Sequence, residues 1–349
     1  MPRVLFIDTS PFAGGAQASF RTIINSVSLE GKALAVGAGL WDWARHSPWT
    51  SLQLSTSHWR ARLSGLLQYH KECRQNGPKL LDFVENIKPD IIHCNTVRSA
   101  LLLCGLPQLK QPVIIHDRDL KMPWLARYYA SRKLSPLILA VSSSVSQKWH
   151  GILPESRCHT LANGFDLEGI AKTPPIRQPD PNSIILAAEF EPWKNHALFL
   201  AAFRLAQRKH PNLRAIIKGR MRPHQEDYLL WLQAIIKNEA IPNVELIVDD
   251  SPALPWIAAS QLLVTCSSQE PFGRTAIEAL ALGKRVVATH ESLATELFTL
   301  DGITSCEATP AALAETILDA LTAPKPSPDL TPFSCQTLAH NLAEIYARI

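Results

Sequence analysis

The chain has 349 residues, of which 46% are hydrophobic and 19% are charged. This length exceeds that of one ordinary domain, and the composition excludes disorder as the main state, so we predict a globular protein of two domains. The formal net charge of +4 is a mild basicity that suits contact with phosphates or an anionic membrane face. It is not the dense basic stripe of a nucleic-acid binder, so we expect no nucleic-acid partner.

The first half of the chain alternates short apolar runs with helical patterns. A strand is predicted at residues 4–7, and it is followed by Gly14, Gly15 and a helical pattern over residues 17–27. Further strands are predicted at residues 91–93, 113–115 and 137–141. This alternation is typical of βαβ units, which build parallel sheets.

A proline-rich break follows, with four prolines in residues 173–182. Because no regular element continues through such a stretch, we predict a linker between domains. The alternation then restarts, with strands predicted at residues 183–187, 213–217, 244–248, 262–265 and 285–288 and helices at residues 195–209 and 275–282.

These patterns predict an α/β protein with two domains and a cleft between them. We place the first domain at residues 1–170, the linker at residues 171–183 and the second domain at residues 184–322. A tail over residues 323–349 holds the last predicted helix, residues 334–348.

Polar residues follow one strand of the second domain in a pattern that suits a ligand. Ligands of open α/β sheets bind beyond the carboxyl ends of the strands. Glu270 lies in the loop after the strand at residues 262–265, Gly273 permits close approach of the backbone, and Glu278 falls one turn into the next helix. N–H groups at a helix start bind phosphate oxygens, and carboxylates accept hydrogen bonds from hydroxyls. The pattern therefore favours a ligand with phosphates and hydroxyls, or, by spacing alone, two solvated glutamates.

The segment over residues 268–289 resembles the donor-site motif of retaining glycosyltransferases of the GT-B fold, family 4 (group 1). That motif has two glutamates separated by seven residues in a Glu-x-Phe-Gly context, and Glu270, Phe272, Gly273 and Glu278 match it. Residues 163–166, with the sequence Asn-Gly-Phe-Asp, are similar to the motif that closes the family's N-terminal domain. The resemblance covers most of residues 1–320; it is specific in the second domain and loose in residues 28–88.

The resemblance implies two Rossmann-like domains with mostly parallel sheets that face each other across a cleft. The second domain would bind a nucleotide-diphosphate sugar, the first domain would bind the acceptor, and the last helix would pack back on the first domain. Lys194 resembles the family's phosphate-binding lysine, Glu270 would hold sugar hydroxyls, and Glu278 would hold the ribose. His116 would contact the transferred sugar, although a core histidine is the alternative.

The candidate site residues follow from this resemblance. The catalytic candidates are His116, Lys194 and Glu270. The candidates for binding the donor are Gly14, Gly15, Glu189, Phe272, Gly273, Arg274, Thr275 and Glu278.

At one position the sequence departs from the family. An arginine usually follows the strand shortly before the lysine, and here Glu189 stands at that position. A carboxylate repels a diphosphate, so either Glu189 turns away or another cation replaces the arginine. The candidate cations are Lys218, Arg220, Arg222 and Arg274.

We predict neither a metal nor a cofactor, since the nucleotide sugar is a substrate. Asp117 and Asp119 form an Asp-x-Asp triplet of the kind that binds a divalent metal in a different glycosyltransferase fold. Here the strand before the triplet does not have the sequence context of that other fold. We also find no cluster of His, Cys or acidic residues with the spacing of metal ligands.

A tryptophan-rich segment is interleaved with basic residues. Aromatic and basic residues together suit an anionic membrane face or a carbohydrate platform, and core tryptophans with solvated arginines are the alternative. The residues are Trp41, Trp43, Trp49, Trp59, Arg45, Arg60, Arg62 and Lys71.

The expected location is the cytoplasm, with a peripheral position at the cytoplasmic membrane face. The seven cysteines include no Cys-x-x-Cys pair, which suits a reducing compartment. Apolar stretches such as residues 101–106 are far shorter than the ~20 residues that a bilayer requires. The chain starts with strand residues 4–7 and shows no pattern of a signal peptide.

The sequence therefore predicts a retaining, metal-independent glycosyltransferase (a hexosyltransferase) of carbohydrate biosynthesis. It would move a sugar from a nucleotide-diphosphate sugar to a glycan, a lipid-linked acceptor or a small molecule. The alternative is a non-catalytic nucleotide-sugar or glycan binding protein with a degenerate donor site, for which Glu189 is the best argument. A sugar-nucleotide epimerase of similar shape is disfavoured because the spaced-glutamate motif belongs to the transferases.

Overall fold

The computed structural model describes residues 1–57, 63–222 and 225–349. The chain divides into two compact units. Unit 1 comprises Met1–Gly164 together with Phe333–Ile349, and unit 2 comprises Phe165–Pro332.

Unit 1 is built on a seven-stranded sheet in the order β3-β2-β1-β4-β5-β6-β7. All of its strand pairs are parallel. The strands are β1 (Arg3–Asp8), β2 (Gly31–Val36), β3 (Thr50–Gln53), β4 (Ile91–Cys94), β5 (Val113–Asp117), β6 (Leu137–Ala140) and β7 (Cys158–Thr160). The helices of its first segment are α1 (Gly15–Ser26), α2 (Ala38–Arg45), α3 (Leu63–Ile87), α4 (Val97–Leu103), α5 (Trp124–Leu134) and α6 (Ser143–Gln147).

The last helix of the chain, which we label α13 (Cys335–Ala347), belongs to unit 1. Ser334 caps its start by accepting a hydrogen bond from the Thr337 N–H at 3.0 Å. Leu338, Leu342 and Tyr346 follow at helical spacing, and all three lie in the core cluster that also contains buried residues of β1 and α1. This apolar face ties the end of the chain to the core of unit 1.

Unit 2 is built on a six-stranded sheet in the order β10-β9-β8-β11-β12-β13, again with parallel pairs. The strands are β8 (Asp180–Ala187), β9 (Arg214–Gly219), β10 (Val244–Val248), β11 (Ser260–Thr265), β12 (Arg285–Thr289) and β13 (Ile303–Cys306). The helices are α7 (Leu167–Ala171), α8 (His196–Lys209), α9 (Glu226–Asn238), α10 (Leu254–Ala259), α11 (Arg274–Ala281) and α12 (Pro310–Thr322).

The predicted linker differs from the structure at both ends. Unit 2 begins at Phe165, whose ring stacks on Phe272 with centroids 6.3 Å apart, so residues 165–170 belong to unit 2. Strand β8 begins at Asp180 and includes Pro181. Pro181 is tolerated there because pairing with β9 starts only at Ser183, so its missing N–H breaks no ladder on that side.

Each sheet has a point at which the strand order reverses. In unit 1 this point lies between β1 and β4, and in unit 2 it lies between β8 and β11. Ligands of open parallel sheets bind at such a switch point, beyond the carboxyl ends of the two strands. The prediction of parallel α/β units is confirmed, and the loops after β8 and β11 are the first place to look for a site.

The helices of the described ranges include none long and apolar enough to cross a bilayer.

Candidate functional site

Lys194 and Glu270 meet at the switch point of unit 2. After β8 the chain makes a short 3₁₀ turn over Pro192–Lys194, and Glu270 lies in the loop that follows β11. The Lys194 Nζ donates a hydrogen bond to the Glu270 Oε2 at 2.6 Å. Both side chains are mostly buried, with 17% and 16% exposed. Two of the predicted catalytic residues therefore form one ion pair at the expected edge of the sheet.

Backbone hydrogen bonds join the Glu270 loop to the Lys194 loop and to the loop that follows β12. The Ser268 N–H donates to the Trp193 carbonyl at 2.8 Å, and the Glu270 N–H donates to the Glu291 carbonyl at 3.2 Å. The Lys194 Nζ also lies 3.8 Å from the centroid of the Trp193 ring. The ammonium is thus fixed between a carboxylate and a ring face, as a pre-organised charge should be.

Gly273 fixes the start of α11 beside this pair. Its φ of +107° lies in the region that favours glycine, and a Cβ there would lie 2.3 Å from the Leu293 Cδ2. Helix α11 starts at the next residue, Arg274, and Thr275 lies in its first turn, half-buried. N–H groups of a first helical turn have no intrahelical acceptor and are suited to anions.

Glu278 lies one turn into α11 and pairs with Arg274. The Arg274 Nη2 donates to the Glu278 Oε1 at 3.3 Å. Burial raises the pKa of Glu278 above its usual value, and the Arg274 charge counteracts this. Phe272 is 3% exposed and stacks on Phe165, so its ring packs the start of the helix. Of these predicted donor-site residues, Phe272 therefore contributes its side chain to the core.

Glu189 pairs with two arginines from the neighbouring strand end. The Arg220 Nε donates to the Glu189 Oε1 at 2.8 Å, and the Arg222 Nε lies 2.6 Å from the Glu189 Oε2. Burial acts to raise the pKa of Glu189, but Arg222 and Arg220 outweigh it and hold this pKa below its usual value. The carboxylate is therefore charged and neutralised, and its partners are two of the cations that the sequence offered.

Gly219 brings those arginines against Glu189. A Cβ at Gly219 would lie 1.9 Å from the Ala188 carbonyl oxygen, so only glycine lets the two strand ends approach this closely. Arg222 also lies 3.4 Å from the Glu191 carboxylate, which accepts a hydrogen bond from the Trp193 indole at 2.5 Å. A continuous row of charges and rings thus leads from Arg220 to the Lys194 ammonium.

Lys218, another of the candidate cations, points elsewhere. It is buried, and its Nζ donates to the Asp249 carboxylate at 2.6 Å and to the Asp249 carbonyl at 2.9 Å. Both acceptors lie at the end of β10. The Lys218 ammonium is therefore neutralised by Asp249.

Gly14, Gly15 and His116 belong to unit 1, apart in the chain from the candidates of unit 2. The two glycines form the start of α1, after β1, and Gly14 has an extended backbone. His116 lies in β5 and is fully buried, with its ring stacked on His93 at a centroid distance of 5.8 Å. Burial, followed by the Arg118 charge, holds the pKa of His116 well below its usual value, so the ring is neutral at neutral pH.

A buried polar network surrounds His116. The Arg118 Nη2 lies 3.2 Å from the His116 Nδ1, and because a guanidinium only donates, that nitrogen is the acceptor. The Arg118 Nε donates to the Asn95 Oδ1 at 2.9 Å, and the Asn95 Nδ2 donates to the Asp8 Oδ2 at 2.6 Å. The sequence analysis did not single out Asn95 or Arg118 as site residues. Their signal was available, since Asp8 and Asn95 stand at the ends of the two strands that flank the switch point.

Asp117 does not stand as a free ligand. Its Oδ2 lies 3.1 Å from the Arg127 Nη2 and accepts a hydrogen bond from the Trp149 Nε1 at 2.9 Å. Asp119 accepts a hydrogen bond from the Lys121 N–H at 2.6 Å. In the parts of the chain that are described, no group of three or more His, Cys, Asp and Glu side chains could hold a metal ion.

The tryptophan-rich segment lies partly in the core. Trp41, Trp43 and Trp49 are partly buried and pack against the core cluster of unit 1. Arg21 lies 5.2 Å from the Trp43 ring centroid, and Lys32 lies 5.1 Å from that of Trp49. The alternative of core tryptophans is therefore observed for these three rings. Trp59, Arg60 and Arg62 lie outside the described residues.

Several solved structures are similar to this chain over its whole length. Alr3699/HepE of Anabaena, in complex with UDP and glucose, is 18% identical with a TM-score of 0.77 and covers 100% of both chains. A glycosyltransferase of Rickettsia africae is 16% identical with a TM-score of 0.77, over 99% of this chain and 98% of its own. A UDP-GlcNAc 2-epimerase of Methanocaldococcus jannaschii is 12% identical with a TM-score of 0.64, over 100% of both chains. The two parallel units have the GT-B fold, as predicted, and this fold alone does not separate transferases from that epimerase.

The second unit matches a family model. Residues 171–332 match the family model of glycosyl transferases group 1. The chain thus carries a group 1 glycosyltransferase domain, and the prediction of a glycosyltransferase is confirmed. No curated protein sequence matches the chain.

Proposed function

We propose that the chain is a retaining, metal-independent hexosyltransferase that uses a nucleotide-diphosphate sugar. The observation that carries this proposal is the Lys194–Glu270 pair at the switch point of unit 2, at 2.6 Å and beside the start of α11. This edge combines the Lys194 ammonium, the first turn of α11 and the carboxylates of Glu270 and Glu278. Such a set matches a ligand that has both a diphosphate and sugar hydroxyls.

The proposed chemistry rests on the negative charge that develops on the diphosphate of the donor during transfer. When the bond between the sugar and the diphosphate breaks, the leaving diphosphate gains negative charge. The Lys194 ammonium has three donors, so it stabilises a phosphate oxygen while it keeps its bond to Glu270. Glu270 accepts from sugar hydroxyls and Glu278 accepts from the ribose. The acceptor hydroxyl attacks from the face that the diphosphate leaves, as the family resemblance implies.

The pairing of Glu189 favours this function over a degenerate binder. Glu189 shares its charge with Arg220 and Arg222, so the carboxylate adds no net repulsion at the sheet edge. The side chains of Arg220 and Arg222 remain 28% and 38% exposed. We propose that they supply the positive charge that the family usually places at the position of Glu189.

The donor and the other partners follow from the comparisons as proposals. Because one structure with this fold holds UDP-glucose, a UDP-hexose is the first donor to test. The acceptor is a glycan, a lipid-linked molecule or a small molecule, and we propose that the reaction takes place in the cytoplasm.

The experiment combines binding and turnover. Calorimetry with UDP, GDP and ADP identifies the base that the site prefers. A transferase should also hydrolyse its donor slowly, so we expect release of the nucleoside diphosphate from one member of a panel of nucleotide sugars. Activity should persist in EDTA, and the anomeric configuration of the product, read by NMR, should equal that of the donor. Binding without any turnover would instead indicate a non-catalytic protein, and an epimerised nucleotide sugar would indicate the epimerase.

A further inference from the structure

Helix α5 (Trp124–Leu134) exposes large apolar and aromatic residues and buries an arginine. A surface helix normally turns its apolar face to the core. The buried residues of α5 are Arg127, Ala130 and Ser131. Its exposed residues include Trp124, Leu125, Tyr128 and Tyr129, which are 62%, 69%, 37% and 41% exposed. We call these four residues the α5 aromatic face.

The polar side of the helix has a structural explanation, whereas Trp124 and Leu125 remain mostly exposed among the described residues. Arg127 is buried because its guanidinium pairs with Asp117 at 3.1 Å, at the end of β5. Tyr128 and Tyr129 are partly covered, but no residue of the α5 aromatic face is among the buried residues of the helix. Exposed apolar surface costs about 25 cal/mol for each Å², so a cluster of large apolar side chains on one helix points to a partner.

The α5 aromatic face is ordered by its own contacts. The rings of Trp124 and Tyr128 stack at a centroid distance of 5.2 Å and an interplanar angle of 17°. The Arg132 guanidinium lies 5.3 Å from the centroid of Tyr128, and the Lys133 Nζ lies 5.8 Å from that of Tyr129. The helix thus presents stacked rings that continue directly into two cations.

The charged residues of α5 and of the segments next to it in the sequence are basic. Residues 120–154 contain five Lys and Arg residues and no Asp or Glu. The charge of Arg127 is met by Asp117. The other four are exposed, and they are Lys121, Arg132, Lys133 and Lys148. An aromatic and apolar face on a helix whose exposed charges, Arg132 and Lys133, are both positive is complementary to an anionic surface.

We propose that the α5 aromatic face docks the protein on an anionic lipid surface. Trp124 and Tyr128 lie at the level of the headgroups, where amphipathic rings are favoured, and Leu125 enters the acyl boundary. Arg132 and Lys133 bind lipid phosphates. This surface is separate in the sequence from the tryptophan-rich segment, and the proposal does not depend on the proposed transfer reaction.

The test is co-sedimentation with vesicles that contain neither donor nor acceptor. We use phosphatidylcholine alone and an equal mixture with phosphatidylglycerol. The wild type should bind the mixed vesicles at low ionic strength, bind phosphatidylcholine weakly, and dissociate as salt rises. Arg132→Ser and Lys133→Ser should each weaken binding about fivefold. The double variant Trp124→Ser, Leu125→Ser should weaken it by more than about tenfold, since both side chains lose their apolar contact.

Matched controls lie in unit 2. Leu230 and Trp231 are 61% and 49% exposed on α9, and Leu230→Ser, Trp231→Ser should leave vesicle binding unchanged. Arg208→Ser, Lys209→Ser, at the end of α8, controls for loss of two charges. All variants should keep the thermal midpoint and the nucleotide affinity of the wild type.

Three results would overturn the proposal. One is absence of binding to the mixed vesicles at low salt, and another is binding that the α5 variants and the unit 2 controls weaken equally. The third is a wild type that self-associates in gel filtration while the Trp124→Ser, Leu125→Ser variant is monomeric, since the face would then be a contact between copies of the chain.

Discussion

Replacement of Lys194 is the sharpest test of the site in unit 2. Lys194→Ala removes the ammonium that lies 2.6 Å from Glu270 and 3.8 Å from the Trp193 ring. Loss of one pre-organised donor to a developing charge typically lowers turnover on the order of 10²–10³-fold, or about 2.7–4 kcal/mol. Nucleoside diphosphate affinity should also fall. Because both side chains of the pair keep some contact with solvent, the loss of folding stability should be small, about 1–2 kcal/mol.

The assay separates catalysis from structure with three companion variants. Glu270→Gln added to Lys194→Ala should recover stability, since no unpaired carboxylate remains, but it should not recover turnover. Lys194→Arg keeps the charge and should retain part of the affinity. Lys172→Ala is the control, because Lys172 is 73% exposed and pairs with Glu168 one turn earlier. Turnover and affinity of Lys194→Ala equal to those of Lys172→Ala would refute the phosphate assignment.

Three further predictions concern charge at both sheets. Glu189→Arg should weaken nucleoside diphosphate binding in calorimetry, because a third guanidinium beside Arg220 and Arg222 would repel both and displace them. Tighter binding would instead show that the Glu189 carboxylate repels the diphosphate in the wild type. Glu278→Gln should weaken nucleotide binding while the thermal midpoint stays unchanged, and unchanged affinity would remove the ribose assignment. Burial, followed by the Arg118 charge, lowers the pKa of His93 from its usual 6.5 to about 3. Between pH 6.5 and 3 the His93 imidazole is protonated in the unfolded chain but neutral in the folded one. The free energy of unfolding therefore falls as the pH falls through this range, by up to about 1.4 kcal/mol for each pH unit. Chemical unfolding at pH 7 and 5 should show a smaller loss in His93→Gln than in the wild type.

Local sequence determined the elements of the fold and part of the site. The apolar runs that end at charged or small residues gave the strands, because buried parallel strands read as continuous apolar segments. The spacing of Glu270, Gly273 and Glu278 placed one carboxylate in a loop and the other one turn into a helix, as observed. These features depend on neighbours in the chain, so the sequence alone predicted them.

Contacts between distant segments needed the tertiary structure. The partners of Glu189 come from the end of β9, and Gly219 has to lie against Ala188 for them to reach it. No local pattern shows which strand lies beside β8, so the sequence left open whether Glu189 turns away or another cation serves. The same holds for Phe272, which matched the donor motif but stacks on Phe165 of the segment that begins unit 2.

The burial of individual side chains was the property that we predicted least well from the sequence. Trp41 and Trp43 suited an interface or a core equally, and the packing of unit 1 places both rings partly in the core. Helix α5 shows the reverse case, since Arg127 is inside and Trp124 is outside. Hydrophobicity predicts burial only on average, because one buried carboxylate, Asp117, is enough to draw an arginine inward and turn the rings of the same helix to the surface.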